Sequence, residues 1–233
     1  MTKVRGQIVA PCWLVLTIDG EDVGNAFSAD EIEGINEVFE RYRDAYQGIV
    51  LQSVGRRFFC AGGQLKKYRK MDRKQGLKAN RKIRKFLQQF SQLDIPTVAI
   101  VDGDCLGGGL ELISAFDHVI STPQSFFGFW QRRIGLTFGW QGGQRLVRRM
   151  GEAQLRAHSL KASIVSSQQA FRLGLVDEVV PRSFALDSAL RWLNGQDKLS
   201  KFPVGFIKGA PMENEVKFFE KIWFFPSNNS TRA

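Results

Sequence analysis

The sequence predicts an α/β fold, on three observations. Short, almost wholly apolar runs suited to buried strands alternate with segments whose apolar residues recur every three or four positions. Two glycine-rich turns each follow a run of the first kind. Across 233 residues, 43% hydrophobic content supports a sizeable buried core.

Taken in order, residues 9–18 read as a strand that ends in the turn-rich Asp19-Gly20-Glu21-Asp22. Ser28 is placed to cap a helix that buries Ile32, Ile35, Phe39 and Tyr42, with Gly48 ending it. Residues 48–53 and 95–101 read as buried strands, and Phe86, Leu87 and Phe90 share one face of a helix between them. A second glycine turn at residues 102–109 leads into a helix from Leu110, followed by strands at residues 118–121 and 126–129. A third glycine-rich loop, residues 135–143, precedes helices at residues 144–150, 152–158 and 167–173 and a strand at residues 176–180. Pro181 then divides a main α/β unit, residues 1–181, from a helical region, residues 182–233. Alternating strands and helices of this kind define an α/β core.

Composition excludes several classes of function. The three cysteines, Cys12, Cys60 and Cys105, are far apart and lack metal-site spacing, so neither a disulfide framework nor a metal site is expected, and a reducing, cytoplasmic setting is. No signal-peptide pattern opens the chain, and no run approaches the roughly 18 apolar residues of a membrane span. The net charge of +10 favours a polyanionic partner. Much of it lies in residues 66–85, where eleven Lys and Arg face only Asp72. A solvated helix face explains such a run as well as phosphate binding does.

The glycine turns carry the chemistry. A thioester that reacts at its α-carbon passes through an enolate, whose charge is best met by fixed N–H donors in a dry site. Glycine exposes such donors because it has no Cβ and accepts positive φ. The first turn is Phe58-Phe59-Cys60-Ala61-Gly62-Gly63-Gln64-Leu65, and the second is Gly107-Gly108-Gly109-Leu110-Glu111-Leu112. A helix opening on the second adds its positive dipole.

In these residues the sequence resembles the crotonase, or enoyl-CoA hydratase/isomerase, family over about residues 8–181. The family's F-S/C-A-G-x-D-L turn is matched by Phe59 to Leu65. Its stretch from Ile-Pro through three glycines to Glu-Leu is matched by Ile95 to Leu112. A later pattern is matched by Phe127, Gly128, Gly135, Gly142, Gly143, Arg145 and Leu146. The resemblance implies a crotonase-like spiral of ββα units with a helical C-terminal trimerisation region, and an acyl-CoA substrate. It implies no cofactor besides the CoA carried by the substrate, and a homotrimer or hexamer. The oxyanion donors carry over to the amides of Gly63 and Gly108. Ala61, Gly62, Gln64, Leu65 and Gly107 line the CoA thioester beside them, with basic side chains near its phosphates.

Family hydratases use two glutamates to move the proton of a water. Glu111 matches the first, and Gln131 stands at the second, where an amide can hold a water but cannot take its proton at neutral pH. Gln64 likewise replaces the usual carboxylate of the first turn. The aromatic loop around Trp130, Phe138 and Trp140, and the tail at residues 215–228, resemble the ethylmalonyl-CoA decarboxylase branch, although Phe224 and Phe225 stand where that tail has glycines. Loss of CO₂ makes the enolate without a base, which fits the missing glutamate. Phe129, Trp130, Phe138 and Trp140 are then candidates for an apolar wall that desolvates the carboxylate, and Glu111 for the group that returns a proton to the α-carbon.

Hydration or isomerisation of an enoyl-CoA is the alternative within the family. RNA binding through residues 66–85 is the alternative from another class, and the aromatics do not interleave with the charges as a stacking platform requires. Nucleic acid is therefore not the expected partner. A non-catalytic CoA-thioester-binding relative is the third reading.

Overall fold

The computed structural model describes residues 3–197. Two sheets share the strands. The larger runs β1 (Lys3–Val9), β2 (Trp13–Asp19), β3 (Gly48–Ser53), β5 (Thr97–Val101), β7 (His118–Ser121) and β10 (Glu178–Val179) in that spatial order. The smaller runs β4 (Phe58–Cys60), β6 (Asp104–Leu106), β8 (Phe126–Gly128) and β9 (Ile164–Ser166). From β3 to β8 consecutive strands therefore alternate between sheets, and β3-β4, β5-β6 and β7-β8 are successive ββ steps of one spiral. From β2 to β10 every neighbouring pair in the larger sheet is parallel, and only the β1-β2 hairpin is antiparallel there.

Side-chain alternation along the strands assigns the two faces. Leu14, Leu16, Ile49, Leu51, Ala99 and Val101 face the main core, where α1 (Ala29–Arg41) and α3 (Arg73–Phe90) bury Ile32, Ile35, Ile83, Leu87 and Phe90. Trp13, Val15, Val50, Val98 and Ile120 point the other way and are covered by Ala185, Ala189 and Leu193 of α8 (Arg182–Asp197). The indole N–H of Trp13 donates to Asn194 Oδ1 at 2.9 Å, which pins α8 to that face. The expected helix after Pro181 is thus present as α8, and the apolar tail at residues 215–228 lies outside the described residues.

The expected strand over residues 9–18 is two strands. Cis-Pro11 lies between them, and Val9 closes β1 while Trp13 opens β2. β1 escaped notice because it is an edge strand with Lys, Arg, Gly and Gln among its residues, exposed or half-buried throughout. The three-residue strands β4, β6 and β9 are too short to show a period; β4 and β6 lie within the two glycine turns, and β9 lies between two helices.

Helix α1 ends at Arg41, well before Gly48, which instead opens β3. Its start is the predicted one. Ser28 Oγ accepts the Asp30 amide at 3.3 Å, and Glu31 Oε2 accepts the Ser28 amide at 2.5 Å. Ser28→Ala is expected to cost about 1 kcal/mol, read as a lower denaturation midpoint with an unchanged slope.

Candidate active site

The remaining helices place the site. A short helix, α2 (Leu65–Tyr68), follows the first glycine turn, and α4 (Gly108–Ile113) opens on the second. Helix α5 (Gly142–Met150) follows the aromatic loop, and α6 (Glu152–Lys161) and α7 (Ser167–Arg172) complete that side.

Both turns sit at the ends of neighbouring strands of the smaller sheet, since β4 pairs with β6. Gly62 (φ +104°) and Gly107 (φ +53°) take left-handed backbone that other residues rarely adopt. The turns interlock: a Cβ added at Gly62 would lie 3.1 Å from the Gly108 nitrogen and 3.1 Å from the Leu106 oxygen. The Phe27 amide donates to the Gly62 carbonyl at 2.8 Å. Across a planar trans peptide C=O and N–H point in opposite directions, so the Gly63 N–H is turned away from Phe27. Gly108 is the first residue of α4, so its N–H has no partner within the helix and points out of the N-terminus. The sequence-predicted donors Gly63 and Gly108 are thus brought side by side.

Trp140 seals this pair. Its ring carbon Cζ2 is 3.3 Å from the Cβ position of Gly63 and 3.2 Å from that of Gly108, and the ring is only 5% exposed. Phe27 meets the indole edge-on with centroids 6.1 Å apart, and Tyr68 Cε2 is 3.6 Å from the Gly63 Cβ position. Burial pushes the Tyr68 phenol up, and the nearby Glu111 charge adds to this. Neither Phe27 nor Tyr68 stands out in the sequence, because each lies in an unrelated segment and only the tertiary fold carries it to the glycines.

Glu111 is buried with both carboxylate oxygens occupied by the aromatic loop. Oε1 accepts the Gly139 amide at 3.1 Å, and Oε2 accepts those of Trp140 at 2.8 Å and Gly142 at 2.9 Å. Burial raises its pKa, opposed by those three amides and by the Arg145 guanidinium. Arg145 bridges the same elements, donating to the carbonyls of Glu111 at 3.2 Å and Trp140 at 3.3 Å. From the basic helix α3, Asn80 donates to the Gly139 carbonyl at 2.9 Å. Arg145 belongs to the family pattern matched by residues 127–146, whereas nothing in the sequence spacing distinguishes Asn80 from the other polar residues of its helix.

The other candidates divide. Gln131 is buried in a 3₁₀ turn, residues 130–134, and its amide nitrogen has no hydrogen-bond partner among the described residues. Trp130 packs on Gly128, whose carbonyl accepts the Gly107 amide at 2.8 Å, so it borders the second turn. Phe129 stacks on His158 with centroids 5.4 Å apart, and Phe138 packs on Gly143. The four-aromatic wall therefore reduces at the glycines themselves to Trp140, supplemented by Phe27 and Tyr68.

In the first turn, Ala61 donates its amide to the Gly24 carbonyl at 2.9 Å, and Leu65 is exposed. Gln64 donates to Glu31 Oε1 at 3.3 Å, which explains the missing carboxylate: an acid at position 64 would face buried Glu31. Burial pushes the Cys60 thiol up to about 12, so it is no nucleophile despite its place in the turn. Among the described residues no cluster of His, Cys, Asp and Glu could hold a metal, and no helix is long and apolar enough to cross a membrane.

Strands stepping alternately between two sheets, with two interlocked glycine turns at adjacent strand ends, define a protein of the crotonase fold. The sequence model for enoyl-CoA hydratase/isomerase matches residues 13–210, and the chain belongs to that family. Among its relatives, an enoyl-CoA isomerase/hydratase of Mycosarcoma maydis is 37% identical over 129 residues, covering 55% of this chain and 47% of the relative. The match thus spans about half the length of that relative. An ethylmalonyl-CoA decarboxylase of Rattus norvegicus is 27% identical, covering 92% of this chain and 77% of the relative. The crystal structure of an enoyl-CoA hydratase from Bacillus anthracis superposes with a TM-score of 0.87 at 22% identity, covering 95% of this chain and 90% of that one, a likeness of fold.

Proposed function

We propose that the protein acts on acyl-CoA thioesters, with the Gly63 and Gly108 amides holding the thioester oxygen as it becomes an enolate, and that its favoured reaction is decarboxylation of a short malonyl-type acyl-CoA. The observation that carries this reading is the pair of interlocked turns sealed by an indole. Two backbone donors stand at a dry, apolar surface where charge stabilisation is strongest. The bond between the α-carbon and the carboxylate breaks, CO₂ leaves, and the electron pair moves onto the thioester oxygen. A proton drawn from water then adds to the α-carbon. No base is needed, which suits a site with an amide, Gln131, where a hydratase places a carboxylate.

The likeness to a decarboxylase over most of the chain supports this reaction, and the likeness to hydratases supports the substrate class. Against RNA binding, part of the basic run is engaged internally: Lys67 pairs with Asp30 and Lys82 with Glu33, each at 2.5 Å.

The test is to incubate the protein with methylmalonyl-, ethylmalonyl- and crotonyl-CoA and to follow mass. The malonyl thioesters are expected to lose CO₂ faster than crotonyl-CoA gains water. Brisk hydration with both malonyl thioesters untouched would reject the decarboxylase assignment.

A further inference from the structure

We infer that Glu111 is a positioning residue, and that the side chain it positions, Trp140, limits the length of acyl group the site accepts. This rests on the acyl-CoA reading above and adds which residue selects the acyl group.

Glu111 is committed to the aromatic loop. Three backbone amides, those of Gly139, Trp140 and Gly142, converge on its two oxygens within 3.1 Å. Loop and side chain are in close contact, since a Cβ added at Gly142 would lie 2.4 Å from Glu111 Cγ and 2.5 Å from its Cβ. To trade protons with a substrate the carboxylate must give up donors that hold this loop. Leaving buried amides without acceptors is costly.

What the clamp holds in place is the Trp140 ring. The residue whose amide is 2.8 Å from Glu111 Oε2 carries the indole that touches both oxyanion glycines. Any carbonyl held by those two amides lies against this ring, so the acyl group it carries must leave the site past the indole. A short acyl group fits beside a fixed ring, whereas a long one must displace it and break the clamp. Chain-length preference is therefore coupled to Glu111 without Glu111 touching the substrate.

The experiment measures binding of acetyl-, hexanoyl- and decanoyl-CoA, together with turnover of the malonyl thioester, in wild type, Trp140→Ala, Glu111→Ala and Glu111→Gln. Wild type is expected to favour acetyl- over decanoyl-CoA by about ten-fold or more, and Trp140→Ala and Glu111→Ala to erase that preference together. Glu111→Gln keeps an oxygen for the Trp140 and Gly142 amides and is expected to retain both the preference and turnover within about ten-fold. A loss of about 10²- to 10⁴-fold in Glu111→Gln with the preference intact marks an acid/base group and overturns the inference. So does a Trp140→Ala protein with wild-type preference.

Failure of wild type to bind any of the thioesters rejects the acyl-CoA reading itself. The positioning role is then read by acrylamide quenching of Trp140 fluorescence, taken as the difference between wild type and Trp140→Phe. Quenching is expected to rise in Glu111→Ala but not in Glu111→Gln, and no rise in Glu111→Ala overturns it.

Discussion

Gly108→Pro, made in a Trp140→Ala background, is expected to lower turnover at least 10²- to 10³-fold relative to Trp140→Ala alone, equivalent to about 2.7–4 kcal/mol of transition-state stabilisation. Proline is tolerated at the first position of a helix, so α4 keeps its geometry. The background substitution matters because a Cβ at Gly108 would meet the Trp140 ring at 2.5 Å, and that overlap would otherwise confuse packing with chemistry. Removing the indole relieves that overlap, so the two proteins differ in the N–H and in the proline ring that replaces it, with Cδ standing where the hydrogen was. Steady-state kinetics on the preferred thioester decides the matter. Equal rates in the two proteins would remove Gly108 from the oxyanion site.

Asn25→Ala is expected to cost about 3 kcal/mol or more of folding stability. Asn25 is fully buried with φ +49°, and its side chain accepts the Gly20 amide at 2.8 Å and donates to the carbonyls of Val54 at 2.9 Å and Phe58 at 2.7 Å. Alanine leaves the buried Gly20 amide and the two partly buried carbonyls unpaired, at about 1–3 kcal/mol for each that finds no water. It must also hold left-handed backbone, at roughly 1–2 kcal/mol. Because Asn25 ties the end of β3 to β4, the strand that carries the first glycine turn, turnover is expected to fall with stability. Asn25→Asp keeps the acceptor but loses both donations and sets a carboxylate against two carbonyls, so it should be no better. Chemical denaturation reads both variants, and a loss below about 1 kcal/mol for Asn25→Ala would show that the loop re-forms its bonds elsewhere.

Much of this architecture was legible because its cause is local. Ser28 ahead of apolar residues at helical spacing announces a helix start wherever the helix packs. The run that became β5 is apolar at nearly every position, and that of β3 over its first four, because both of their faces are covered. The paired glycine turns were visible for the same reason, since positive φ and close approach demand glycine at the residue itself. Other features had no local signature. Edge strand β1 carries polar residues, and β4, β6 and β9 are shorter than any period.

The sequence by itself determined the α/β class, the family and the two glycine turns that carry Gly63 and Gly108, because backbone conformation and burial are written residue by residue. Only the tertiary structure decided what surrounds their amides. It brought Trp140, Phe27 and Tyr68 onto them from three separate segments, turned Phe129 toward His158, and occupied Glu111 with a loop 28 to 31 residues further along the chain. A carboxylate's identity says that it can accept hydrogen bonds or move a proton. Which of these it does depends on the donors folded against it, and their placement is a property of packing across the whole chain.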